Sequence, residues 1–210
     1  MTLPGAHLRG LYAITDSGLL PGDALFTGVE AAIRGGARLV QYRDKSGDAA
    51  RREHEARRLL EICRAHSVPL LINDDVELAH AVGADGVHLG RDDLALEEAR
   101  SRLGPHVLIG VSCYDSPSRA RAAARAGADY VAFGSFFASA SKPDAVPAPL
   151  EVLKTARSEL SIPLCAIGGI TPDNGAALVT AGADMLAVIS GLFAQTGIEA
   201  AARAYTRLFG

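Results

Sequence analysis

Gly36-Ala37-Arg38-Leu39, Gly83-Ala84-Asp85-Gly86, Gly127-Ala128-Asp129-Tyr130 and Gly182-Ala183-Asp184-Met185 are one motif written four times. Each copy follows a stretch of helical character and runs into a short apolar segment. Glycine ends a helix with little strain in the left-handed conformation, and the Val, Leu, Ile or Phe run behind it is satisfied only as a strand buried on both faces. Such strands are parallel and need helices outside them. The motif is a βα repeat, and in folds of this kind the reacting groups sit on loops after the C-terminal ends of the strands.

Outward from the motif, apolar segments predict strands over Leu11 to Thr15, Leu39 to Arg43, Pro69 to Asn73, Gly86 to Leu89, Val107 to Ser112, Tyr130 to Phe133, Pro163 to Ile167 and Met185 to Ser190. Eight βα units are the count of a (β/α)8 TIM barrel, an α/β fold, and 210 residues lie near its lower size limit. No linker or low-complexity stretch interrupts the chain, so residues 1–210 read as a single catalytic domain. Between the strands, Ala56, Leu59, Leu60 and Cys63 mark a helical stripe at i, i+3, i+4, i+7. Ser116-Pro117 and Thr171-Pro172 each put a capping hydroxyl before a proline at the first helical position.

The composition narrows the function classes. Net charge is −3, with no basic tail and no tryptophan, which argues against a nucleic-acid partner. No apolar run approaches the roughly 20 residues of a membrane span, and Met1 to Arg9 lacks the apolar core of a signal peptide, so a cytoplasmic location is expected. Cys63, Cys113 and Cys165 are far apart and read as core thiols. His80 and His88 are the only neighbouring histidines, but one falls on a helix and the other on a strand, a poor basis for zinc.

Polar residues gather at the strand ends. Strand two finishes Gln41-Tyr42-Arg43-Asp44-Lys45, and period-two geometry sends Gln41, Arg43 and Lys45 the same way, toward the barrel mouth. A guanidinium and an ammonium so placed suit a polyphosphate, where a run of solvated loop charges is the plainer alternative. Only three lysines occur, and Lys45 and Lys142 both follow predicted strands. Strand three ends Asn73-Asp74-Asp75 and strand four is followed by Arg91-Asp92-Asp93. Asp75 and Asp92 read as helix N-caps, while Asp74 and Asp93 could share one Mg2+ with substrate phosphate oxygens.

Strand six runs into Gly134-Ser135-Phe136-Phe137-Ala138-Ser139-Ala140-Ser141-Lys142-Pro143, a hydroxyl-rich loop long enough to act as a lid. Strands seven and eight end Ala166-Ile167-Gly168-Gly169-Ile170-Thr171 and Val188-Ile189-Ser190-Gly191, where backbone amides can approach an anion unhindered by a side chain. Two anion sites in one mouth are therefore expected. Turn geometry alone would account for one glycine loop more readily than for both.

With Tyr12-Ala13-Ile14-Thr15-Asp16, Gln41-Tyr42-Arg43-Asp44-Lys45, Ile72-Asn73-Asp74-Asp75, Gly86-Val87-His88-Leu89-Gly90, Gly110-Val111-Ser112, Ala166-Ile167-Gly168-Gly169-Ile170 and Val188-Ile189-Ser190-Gly191 in this order, the chain resembles the thiamine-phosphate synthases. The resemblance implies a TIM barrel that joins hydroxymethylpyrimidine diphosphate to thiazole phosphate, giving thiamine phosphate and diphosphate. It also implies that Gln41, Arg43, Lys45, Asn73, Ser112 and Lys142 hold the pyrimidine diphosphate, with Arg43, Lys45, Ser112 and Lys142 assisting the chemistry. Asp74 and Asp93 would ligate Mg2+. Ser139 and Ser141, where the family usually has threonine, would serve the thiazole-phosphate side with Gly169, Ile189 and Ser190.

Three positions depart from the pattern: Arg91 where glutamine is usual, Tyr114 where histidine is frequent, and Pro149 where glycine is common. Two rival functions stand beside the synthase. Thiazole tautomerases of the same family bind one phosphate and need no diphosphate clamp, and a non-catalytic barrel could merely bind thiamine intermediates. A homodimer follows by analogy alone.

Overall fold

The computed structural model describes residues 8–91, 93, 95–138 and 147–210. Strands β1 (Gly10–Ile14), β2 (Ala37–Tyr42), β3 (Leu70–Asn73), β4 (Gly86–Leu89), β5 (Leu108–Tyr114), β6 (Tyr130–Phe133), β7 (Leu164–Ile167) and β8 (Met185–Val188) pair in chain order, and β8 returns to β1 in parallel to close a barrel. Outside it lie α1 (Ala24–Arg34), α2 (Ala49–Ala65), α3 (Val76–Val82), α4 (Leu96–Leu103), α5 (Pro117–Arg125), α6 (Glu151–Glu159), α7 (Pro172–Thr180), the short α8 (Ser190–Phe193) and α9 (Ile198–Thr206). The expected (β/α)8 architecture is the one observed, each strand limit lying within two residues of its expected place.

Side chains alternate along each strand. Leu11, Ala13, Val40 and Ile72 face the helices, where Leu59, Leu60 and Cys63 of α2 meet them as part of one core. Tyr12, Ile14, Leu39, Leu71, Tyr130, Cys165 and Met185 turn inward and fill the lumen. Because both faces are buried, apolar residues are favoured at nearly every strand position. All three cysteines are free and buried, and burial pushes the Cys63 and Cys113 thiols up to about 12.

The Gly-Ala motif closes the N-terminal end of the barrel. Gly36, Gly83, Gly127 and Gly182 all have positive φ, from 68° to 114°. The following Ala84, Ala128 and Ala183 donate their N–H back to Ala79, Ala123 and Leu178 at 2.9, 3.0 and 3.0 Å, capping the preceding helix. The third residue of the motif then ties strands together. Asp85 Oδ2 accepts from Leu70 N at 2.9 Å, Asp129 Oδ2 from Ile109 N at 2.8 Å, and Asp184 Oδ2 from Leu164 N at 2.8 Å. Each aspartate thus pins the start of its own strand to the strand before it. Arg100 and Arg157 neutralise two of these carboxylates, at 2.6 Å from Asp129 and 2.8 Å from Asp184.

Some local expectations change. Strand eight was expected to reach Ser190, but Ile189 (φ −109°, ψ −90°) leaves the extended conformation and Ser190 opens α8. Ser116 caps α5 as expected, accepting from Arg119 N at 3.2 Å. At Thr171 the reach-back comes from Asn174, whose Oδ1 accepts from Thr171 N at 2.8 Å. Asp75 caps α3 through Leu78 N at 2.8 Å. Asp92 lies outside the described residues, and the N-cap position of α4 is held by Ala95. No helix among the described residues is long and apolar enough to cross a membrane.

Candidate active site

At the C-terminal ends of the strands opens a cavity of about 520 Å³, lined by residues from all eight strand ends. Gln41, Arg43 and Lys45 all line it, as the period-two reading of strand two requires. The intervening Tyr42 and Asp44 are buried on the other side and anchor the loop. Tyr42 OH donates to Glu55 Oε2 at 2.6 Å, and Arg51 reaches Asp44 Oδ2 at 2.6 Å. Burial works against the Asp44 charge, yet the Ser46 amide and hydroxyl and the Arg51 guanidinium hold its carboxyl below the ordinary value. Arg43 is fixed from β1: its N–H donates to Thr15 Oγ1 at 2.9 Å and its guanidinium meets Asp16 at 3.2 Å.

Asp74 and Asp93 meet on the neighbouring wall. Asp74 has φ +63°, a conformation L side chains rarely adopt, held by a bond from its N–H to His88 O at 2.9 Å. Asn73 Nδ2 donates to Asp74 Oδ2 at 2.6 Å, and Gly90 N donates to Asp93 Oδ2 at 2.5 Å. Partial burial first, and then the adjacent Asp93 carboxylate, push Asp74 up to about 6, with Lys45 opposing. Two carboxylates in hydrogen-bonding reach of each other form a donor set suited to a hard cation. Among the described residues no group of three His, Cys, Asp or Glu side chains could enclose a metal, so further ligands would have to be substrate oxygens.

Across the cavity the loops after β6 and β7 are laced together. Phe136 N donates to Ile167 O at 3.1 Å and Phe137 N to Gly168 O at 3.0 Å. A Cβ on Gly168 would lie 1.9 Å from Ser135 Oγ, and one on Gly169 would lie 2.3 Å from Ala138 O. These glycines are therefore required by loop packing as well as by any approach of an anion. Gly169, Ile189 and Ser190 line the cavity, as does Ser112 on β5. Ser139, Ser141 and Lys142 lie outside the described residues.

The departures at Arg91 and Tyr114 turn out to touch. The Arg91 guanidinium stacks 4.7 Å from the centroid of the Tyr114 ring, and both residues line the cavity. Pro149 is accommodated just before α6, its carbonyl accepting from Val152 N at 3.1 Å.

A family model described as thiamine monophosphate synthase matches residues 11–192. The chain belongs to the thiamine monophosphate synthase family. A thiamine-phosphate synthase from Thioalkalivibrio sulfidiphilus is 53% identical over 211 aligned residues, covering 100% of this chain and 99% of that relative. One from Marinobacter nauticus is 54% identical, covering 95% and 90%. Among solved structures, a thiamine phosphate pyrophosphorylase from Pyrococcus furiosus superimposes with a TM-score of 0.88 at 32% identity, over 97% of this chain and 96% of that one.

In this member of the thiamine monophosphate synthase family, the cavity floor joins Gln41 and Ser112 through three polar residues, Tyr12, Tyr130 and His88, that sequence reasoning did not select. Tyr12 OH lies 2.9 Å from Tyr130 OH, Tyr130 OH lies 2.8 Å from His88 Nδ1, and His88 Nε2 lies 2.9 Å from Ser112 Oγ. At the other end Gln41 Nε2 donates to Tyr12 OH at 2.5 Å. Burial pushes His88 down to about 4 and so keeps it neutral. The lumen has room for the Tyr130 ring because residue 110 is glycine: a Cβ there would lie 2.0 Å from Tyr130 Cζ. The available signal was that glycine, facing inward on β5 opposite an aromatic residue on β6.

Proposed function

We propose that this chain is a thiamine-phosphate synthase, which joins hydroxymethylpyrimidine diphosphate to thiazole phosphate with Mg2+ and releases diphosphate, the whole chain acting as one catalytic domain. One observation carries the reading: a single cavity has two unlike walls suited to anions. Arg43, Lys45 and the Asp74–Asp93 pair stand on one wall, and the Gly168–Gly169 and Ile189–Ser190 loops on the other. The names of the close relatives agree with it.

In this reading Gln41 and Asn73 orient the aminopyrimidine, while Arg43, Lys45 and, by resemblance, Lys142 face the diphosphate. Asp74 and Asp93 would hold Mg2+, which when bound supplies a concentrated positive charge to the diphosphate oxygens. The cationic side chains stabilise negative charge on the departing diphosphate, and Ser112 contributes a hydroxyl. Departure leaves a resonance-stabilised pyrimidinylmethyl cation that the thiazole nitrogen captures. No protein nucleophile is needed, and apolar lining from Ile14, Ala132, Ile167 and Ala187 keeps water from competing. Gly169, Ile189 and Ser190, with Ser139 and Ser141 by resemblance, hold the thiazole phosphate. A homodimer and a cytoplasmic location complete the proposal by analogy.

The deciding experiment measures diphosphate release from both substrates together with Mg2+. A synthase releases one diphosphate per thiamine phosphate formed. Isomerisation of a thiazole without diphosphate release would identify a tautomerase, and substrate binding without turnover a sensor.

A further inference from the structure

The buried chain Gln41, Tyr12, Tyr130, His88, Ser112 has two arrangements of its hydrogens in which every bond is made and each group gives one proton to the next. Each phenol has one proton to give, and neutral His88 has one N–H and one acceptor nitrogen. Among the described residues, no other hydrogen-bond partner reaches either phenol or the imidazole nitrogens. With Gln41 Nε2 donating to Tyr12, the arrangement that pairs every proton of the chain has Tyr12 donating to Tyr130 and Tyr130 to His88 Nδ1. His88 then carries its proton on Nε2 and donates it to Ser112 Oγ, leaving the Ser112 proton free for the cavity. If the Gln41 amide is turned over, every bond reverses and Ser112 gives its proton to His88.

We propose that this chain is a proton-ordering device in which Tyr12, Tyr130 and His88 act as positioning residues: they fix the Ser112 hydroxyl as a donor toward the substrate and tie its direction to the Gln41 amide. The proposal rests on the synthase reading for its substrate. Gln41 Oε1 has no protein partner among the described residues, and Gln41 lines the cavity. A substrate that donates there, as an aminopyrimidine does, holds the productive order. An oxo analogue accepts at the same place and favours the reversed order, in which Ser112 has no proton left to give. The chain thereby converts the identity of one ring substituent into the donor state of a hydroxyl at the other end of the cavity floor.

The test combines histidine-selective nitrogen NMR with kinetics. In the wild-type protein the His88 signals should be those of the Nε2–H tautomer, and they should remain so with hydroxymethylpyrimidine diphosphate and Mg2+ bound. Tyr130→Phe removes the donor to Nδ1, so the tautomer should shift or become mixed. Its kcat should fall about tenfold, as for loss of one hydrogen bond in the transition state, with KM little changed. Its preference for the amino over the oxo pyrimidine diphosphate should narrow about tenfold. A wild-type Nδ1–H tautomer overturns the proposal, and so does a Tyr130→Phe protein with unchanged tautomer, kcat and preference. The wild-type tautomer decides the matter even if Tyr130→Phe does not fold. It is read without turnover, so a wild type that makes no thiamine phosphate would defeat the functional reading and leave this result standing.

Discussion

Asp74 illustrates what a single residue does when its backbone and its charge are both disfavoured: a left-handed φ and a neighbouring carboxylate occur together at the position proposed to hold a cation. Asp74→Asn and Asp93→Asn should each lower Mg2+-dependent turnover about 100-fold or more while leaving the folded barrel intact, checked by steady-state kinetics across a Mg2+ titration. Gly169 is a different case. Valine there would strike Ala138 O and Phe137, so Gly169→Val should disturb the loop after β6 and weaken both substrates together. Ser190→Ala leaves that packing alone and should raise the KM for thiazole phosphate several-fold while the pyrimidine KM stays put. At this scale the sequence was most legible where polar residues follow a strand at period two, as with Gln41, Arg43 and Lys45. Tyr12 and Tyr130 escaped because an aromatic residue in a strand buried on both faces looks like core until its hydroxyl partners are known.

Among the elements, the Gly-Ala-Asp turns bind strands in pairs at the end of the barrel remote from the cavity. Asp129→Ala removes the acceptor for Ile109 N and the partner of Arg100, and should cost about 2 kcal/mol in urea unfolding with activity per folded molecule unchanged. Lys142→Ala should do the opposite, impairing diphosphate departure while the melting temperature barely moves. The strands and the apolar stripe of α2 were readable because propensity, periodicity and glycine placement agree there. The pins were not: an aspartate after Gly-Ala looks like an exposed turn residue, and only closure of the barrel supplies the amide it accepts from. The end of β8 was misjudged for a related reason, since Ile189 continues its apolar run although the chain has already turned and Ser190 opens α8.

For the molecule as a whole, the metal-free barrel balances two titrations of opposite sign. His88 is pushed down to about 4 from an ordinary 6.5, so the unfolded chain takes up its proton first. That contribution, on the order of 3 kcal/mol, is fully present above pH 6.5 and lost as the pH falls toward 4. Asp74 is raised from 3.8 to about 6, so the native state takes up its proton first, and its effect on stability is lost as the pH rises between those values. Removing the compensating carboxyl should make acid destabilisation steeper: urea midpoints of Asp74→Asn should drop more than those of the wild type between pH 6.5 and 4.5, and an equal or smaller drop would refute the balance. The count of eight strands was legible from end to end, whereas the polar floor across the lumen depends on which residues closure brings face to face. The contact between Gly110 and Tyr130 also reaches into ancestry. A methyl at one position and a phenol at the other compete for the same space, so relatives with any larger residue at 110 are expected to lack the tyrosine at 130.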